Sequence, residues 1–126
     1  MDKKTQNLMW WAVAILVLAG IIGLSVYKKN QPGEFDTFAS CIKDSGAIFY
    51  GAFWCPHCQS QKALFGKSAR LLPYTECSTP SKSQLPICNE AGVTSYPTWK
   101  FSDGTMVTGE QSFQQLSDKT KCEAPS

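Results

Sequence analysis

The sequence has a single histidine, His57, and it sits between two cysteines. No second histidine is there to build a Ser/His/Asp triad or a paired-histidine metal site. A zinc site made from four cysteines needs two closely spaced pairs. Only Cys55 and Cys58 are so spaced, because Cys77 and Cys88 lie too far apart to form a second pair. A glycine-rich phosphate loop, an internal repeat and a low-complexity tract are all missing, and no strong basic balance marks a nucleic-acid surface. The formal net charge is +2, with twelve Lys and Arg against ten Asp and Glu. Four of those cations flank one apolar segment, leaving eight against nine carboxylates from residue 30 onward. The remainder is near neutral, and nucleic acid is not an expected partner.

What is present centres on Ala52-Phe53-Trp54-Cys55-Pro56-His57-Cys58. The run 47–52 before it is short, apolar and β-prone, and the residues from Gln59 to Phe65 are mostly good helix formers. The CxxC therefore falls on a strand-to-helix junction. Cys55 is expected at the N-cap or first turn, where unpaired N–H groups and the helix dipole favour its thiolate, the nucleophile. Pro56 suits the first helical position, since its missing N–H would be unpaired there anyway. Cys58, three residues on, is within disulfide reach and can attack a mixed disulfide on Cys55 to release the partner. His57 adds a tunable charge; protonated, it would favour thiolate and bias the pair toward donating its disulfide. The competing readings of a CxxC are half a zinc site or a structural disulfide.

Residues 8–27 carry no charge, enough to span a bilayer, which takes about 20 residues. Trp10, Trp11 and Tyr27 lie near the two ends, as interfacial aromatics do, and Lys3, Lys4, Lys28 and Lys29 bracket the run. The lysines balance, so they do not fix orientation. A cleaved signal peptide is the alternative, with Val17-Leu18-Ala19 loosely like a cleavage site. The apolar run nevertheless continues through Ile21, Ile22, Leu24 and Val26, which favours an uncleaved anchor. Either way the domain is exported, and six cysteines in so short a chain point to an oxidising compartment. Residues 1–29 are thus expected to form a membrane anchor, 30–33 a linker, and 34–126 one domain.

Along that domain, a helix is expected from Glu34 to about Asp44, with Phe35, Phe38, Ala39 and Ile42 inward and Cys41 on or beside that face. A strand at 47–52 follows. Next comes a helix from Pro56 to about Leu71, with Ala63, Leu64, Phe65 and Ala69 inward and a bend at Gly66. A second strand at 72–77 implies a parallel crossover. A short helix from Gln84 ends at Gly92, and Val93 to Phe101 leads into a third strand. Asp103-Gly104 signals a hairpin to a strand at 105–109. A final helix, about Ser112 to Thr120, has Phe113 and Leu116 as its apolar face. Gly51 reads as a site of close packing or strand bending.

This order describes an α/β sandwich around a mixed four-stranded sheet, and it resembles the thioredoxin fold. The runs Phe49 to Gln59, Gln61-Lys62, Leu64 to Lys67, Tyr74 with Glu76-Cys77, Ala91-Gly92-Val93, Tyr96-Pro97-Thr98-Trp99 and Ser112-Phe113 are more specific. They resemble the thioredoxin-like domain fused to bacterial and plant homologues of vitamin K epoxide reductase. In that family the domain lies on the exported side, exchanges disulfides with a membrane-embedded quinone-linked reductase and oxidises substrate proteins. The resemblance implies Cys55 as exposed nucleophile, Cys58 as resolving thiol, and Pro97 as a cis-proline facing the CxxC. From the residues alone, Pro97 could equally be a trans proline opening an edge strand. Trp54 and Tyr96 are expected at the rim of a groove for unfolded peptide, the other aromatics mostly in the core.

Cys77 and Cys88 match a structural disulfide of the family domain. Cys41 and Cys122 lie on elements that thioredoxin-like folds can bring to one face of the sheet, giving a second disulfide or, alternatively, a redox relay. Spacing alone does not fix the connectivity. The four-helix reductase part of the fused proteins has no counterpart here, so a separate quinone-linked membrane reductase is the expected redox partner, with cysteine-containing proteins as substrates. No cofactor or metal is called for. The expected location is a single-pass membrane protein whose domain faces periplasm, cell exterior or thylakoid lumen. The alternatives are a disulfide reductase or isomerase, and a non-enzymatic membrane-tethered peptide- or metal-binding module.

Overall fold

The computed structural model describes all 126 residues and divides into two units, Met1–Gln31 and Pro32–Ser126. The first unit is one helix, α1 (Lys3–Lys29). Its 27 residues reach about 40 Å at the α-helical rise, against about 30 Å of hydrocarbon, so it is long and apolar enough to cross a membrane. The Ser25 hydroxyl, inside the apolar run, donates back to the carbonyl of Ile21 at 2.8 Å.

The second unit carries α2 (Asp36–Asp44), β1 (Ile48–Gly51), α3 (Pro56–Phe65), a 3₁₀ turn (Gly66–Leu71) and β2 (Tyr74–Glu76). These are followed by α4 (Pro86–Glu90), β3 (Thr98–Lys100), β4 (Met106–Thr108) and α5 (Phe113–Thr120). The sheet order is β2-β1-β3-β4; β1 pairs parallel with β2 and antiparallel with β3, and β3 pairs antiparallel with β4. This mixed four-stranded sheet with its flanking helices is a thioredoxin-like fold.

Register sorts the side chains. Tyr74, Phe49, Trp99 and Val107 are direct cross-strand partners, so they share one face. That row packs into the larger core with Phe38, Ala39 and Ile42 of α2, Phe65 of α3 and Leu116 of α5. Phe49 stacks on Trp99 at 4.7 Å between ring centroids, and Phe38, Phe65 and Phe113 form a triangle of ring contacts. The next residue on β1, Tyr50, points the other way and packs with Cys77, Cys88 and Val93. Because β1 is buried on both faces it is apolar throughout, which is why it read so clearly as a strand.

Three elements differ from expectation. The helix begun at Pro56 is α-helical only to Phe65, where Gly66 takes φ 53° and the chain tightens into the 3₁₀ turn to Leu71. Its inward face is Cys58, Gln61 and Phe65; Ala63 and Leu64 face solvent. The stripe runs through a glutamine, which an apolar pattern skips. The stretch from Val93 to Phe101, expected to lead into a third strand, is strand only at Thr98–Lys100, and Val93 bonds back to Cys88 and closes the end of α4. The first helix starts at Asp36, with Phe35 as its cap. Arg70 grips Asp36 through two bonds of 2.7 Å, tying α2 to the 3₁₀ turn and holding that carboxyl well below its ordinary range.

Gln61 is 1% exposed and fully bonded. Its Oε1 accepts from Trp99 Nε1 at 3.2 Å and from the Gln111 amide at 2.6 Å, and its Nε2 donates to the Gln111 carbonyl at 3.0 Å. Gln61→Leu would strand three buried polar groups, each costing about 1–3 kcal/mol. The expected loss is about 3 kcal/mol or more, read as a lower denaturant midpoint at unchanged slope.

Candidate functional site

β1 delivers the chain straight into the first turn of α3. Cys55 closes the turn with its amide on the Ala52 carbonyl at 3.0 Å, takes extended dihedrals and becomes the N-cap. Its sulfur accepts the Cys58 amide at 3.2 Å, so a thiolate there meets an otherwise unpaired N–H at the positive end of the helix. Pro56 occupies the first turn without losing a bond. Gln59 ties the preceding loop down by donating from Nε2 to the Phe53 carbonyl at 2.9 Å.

Both cysteines are free thiols, 5% exposed at Cys55 and 1% at Cys58. Cys55 is thus the more accessible of the two, although far less open than the expected exposed nucleophile. Burial pushes the Cys58 thiol up to about 12, and the hydrogen bond with Cys55 adds to this; a backbone bond from Ala52 and the Lys62 charge pull the other way. Cys58 is thus protonated and shielded, and Cys55 lies nearer to solvent.

Around this turn the residues expected at the site fall into two groups. Trp54 and Tyr96 meet edge to face at 5.9 Å and are both partly exposed. Each is pinned by the 78–84 segment: Trp54 Nε1 donates to Ser78 Oγ at 2.8 Å, and Tyr96 Oη to Gln84 Oε1 at 2.5 Å. Pro97 is fully buried, follows a cis peptide bond, and gives its carbonyl to the Gly109 amide at 2.8 Å. His57 stands apart from this cluster in solvent, 75% exposed, with Nδ1 2.7 Å from Glu110 Oε1. An imidazolium there faces a carboxylate, so part of the pull it would exert on Cys55 is offset.

The other four cysteines are joined. Cys77 bonds Cys88 across 11 residues, and Cys41 bonds Cys122 across 81. By loop-closure entropy the shorter link contributes about 3 kcal/mol and the longer about 4 to 5 kcal/mol. They fasten α4 beneath β2 and the C-terminal end of α5 to α2. No group of three His, Cys, Asp or Glu side chains is placed to hold a metal ion.

Sequence reasoning missed Glu110, which reaches His57 from 53 residues away, and the pair Tyr74 and Glu76. Tyr74 Oη donates to Glu76 Oε2 at 2.8 Å; Glu76 Oε1 accepts from Ser78 N at 2.9 Å and from Phe53 N at 3.2 Å. Alternation along β2 was the available signal, since it sends Tyr74 and Glu76 to the same face.

That face explains Gly51, whose requirement is space rather than backbone freedom. A Cβ on it would lie 2.7 Å from Tyr74 Cε2 and 3.0 Å from Cys58 Sγ. Gly51→Ala is therefore expected to cost about 1–3 kcal/mol in the denaturant midpoint; an unchanged midpoint would show the contact to be soft.

No protein-family model matches the chain. It is 36% identical over 87 residues, 65% of its length, to thiol-disulfide oxidoreductase LTO1 of Arabidopsis thaliana. The match takes in 23% of that protein, so the chain spans about a quarter of the relative's length. The chain is thus similar, over that stretch, to part of a protein named as a thiol-disulfide oxidoreductase.

Proposed function

We propose that this protein is a membrane-anchored thiol-disulfide oxidoreductase that oxidises cysteine pairs of exported proteins. The observation that carries the reading is the turn at Cys55. One sulfur caps α3 and accepts an amide, the other lies buried and protonated behind it, and the remaining four cysteines are tied into disulfides. In the oxidised form, a substrate thiolate attacks Cys55 Sγ, the Cys55–Cys58 bond breaks, and Cys58 leaves with the electron pair and takes up a proton. A second substrate thiolate then attacks the substrate sulfur of the mixed disulfide and expels Cys55. Two electrons pass to the pair and the substrate gains a disulfide.

A separate quinone-linked membrane protein of the vitamin K epoxide reductase kind takes those electrons and restores the disulfide. Helix α1 holds the domain at the membrane, on the oxidising exported side: periplasm, cell exterior or thylakoid lumen. Trp54 and Tyr96 line the groove that receives the extended substrate segment beside Pro97, and His57 tunes Cys55. The relative's name supports the class of reaction; the apolar length of α1 and the resemblance of the CxxC region support anchor and partner.

The test is trapping. Cys58→Ser cannot resolve a mixed disulfide, so it should accumulate complexes that thiol reductants release, while the double variant with Cys55→Ser should accumulate none. A Cys58→Ser protein that binds partners only non-covalently would support a tethered binding module instead.

A further inference from the structure

The proposed exchange leaves one demand unmet: Cys58 must give up a proton each time it attacks and regain one each time it leaves, yet it is 1% exposed. Burial pushes its thiol up to about 12, so at neutral pH it rests protonated. Bulk water has little access to that sulfur. A protein group has to carry the proton.

The space over Gly51 holds the candidate. A methyl group there would sit 3.0 Å from Cys58 Sγ and 3.3 Å from Tyr74 Oη, so sulfur and phenol border the same small gap. Tyr74 Oη is in turn bonded to Glu76 Oε2 at 2.8 Å, and the other oxygen of Glu76 is fixed by the Ser78 and Phe53 amides. From α3, four residues beyond Cys58, Lys62 lays its ammonium 3.4 Å from the centre of the Tyr74 ring. The charged and titratable groups facing the phenol are therefore Cys55, Cys58 and Lys62 from α3 and its cap and Glu76 from β2, with Tyr96 facing Glu76 and Cys58 from the segment before β3.

We infer that Tyr74 and Glu76 form the proton relay of Cys58, an inference that rests on the exchange reaction proposed above. As Cys58 attacks a mixed disulfide on Cys55, its proton passes to Tyr74 Oη while the phenol's own proton passes to Glu76 Oε2. The sulfur's freed electron pair forms the Cys55–Cys58 bond, and the partner leaves as thiolate with the electrons of the broken bond. In the opposite direction the proton returns from Glu76 through Tyr74 to the departing Cys58. Tyr74 borders the reacting sulfur and is catalytic in this step; Glu76 acts through it and is a positioning residue. The Lys62 ammonium over the ring face holds the phenol against α3.

The test uses the full chain in detergent micelles, reduced at Cys55 and Cys58 and mixed with an aromatic disulfide whose released thiolate absorbs light. A first burst reports attack by Cys55, and a second, independent of reagent concentration, reports attack by Cys58. Tyr74→Phe keeps the ring and its contact with Lys62 but removes the hydroxyl; it should slow the second phase about 10²-fold at pH 7. Its rate should then climb close to tenfold per pH unit, because hydroxide alone supplies thiolate. Glu76→Gln, which keeps an acceptor for both amides, should slow the second phase about tenfold. Both variants should leave the first phase within about twofold. Second phases matching wild type in rate and pH profile would overturn the relay alone, whereas a wild-type chain with no second phase would overturn the exchange reaction itself.

Discussion

The bond from the Cys58 amide to the Cys55 sulfur is the constraint on which the rest of this structure turns. It requires the chain to leave a sheet and enter a helix within a few residues, with Cys55 as cap and Pro56 inside the first turn. The leaving strand must therefore sit at a fixed height in the sheet. β1 does so because both of its faces are buried, Phe49 against Trp99 and Tyr50 against the Cys77–Cys88 link. The entering helix must be held from behind, and Gln61 does this by joining α3 to Trp99 and to the segment before α5.

A small domain gains this rigidity without a large core. One disulfide closes 81 residues and joins the end of α5 to α2, and the other holds α4 under the sheet. Both lie outside the CxxC, which leaves Cys55 and Cys58 as the two thiols free to change partners. The two buried sulfurs sit in different settings: Cys55 caps α3 and accepts the Cys58 amide, while burial and the bond with Cys55 push the Cys58 thiol up.

Much of this was legible in the residues. The apolar run of β1, the Pro56 start and the Asp103-Gly104 hairpin each follow from local chemistry, and the final helix begins one residue late because Ser112 caps it in a capping box with Gln115. The CxxC turn announced itself by spacing. What stayed hidden depends on distance in sequence. Glu110 meets His57 because a loop after β4 folds back over α3, and no local pattern marks it. Gln61 was passed over because pattern reasoning places polar residues outside, and only the three bonds it makes allow it inward. The late start of β3 at Thr98 goes with the bond from Val93 back to Cys88, which is again tertiary. The Tyr74 and Glu76 pair was readable as two residues on one face of a strand. That this face abuts Cys58 was not.

The most direct test of the central claim is a redox titration of the full chain against glutathione, with each cysteine pair followed by peptide mass. Cys55 and Cys58 should interconvert as one reversible two-electron couple while Cys41–Cys122 and Cys77–Cys88 stay oxidised. A disulfide donor should give a midpoint toward the about −120 mV of strong oxidants. A pair that never forms its disulfide, or one with a midpoint near the about −270 mV of thioredoxin, would contradict the account of a protein that oxidises its substrates.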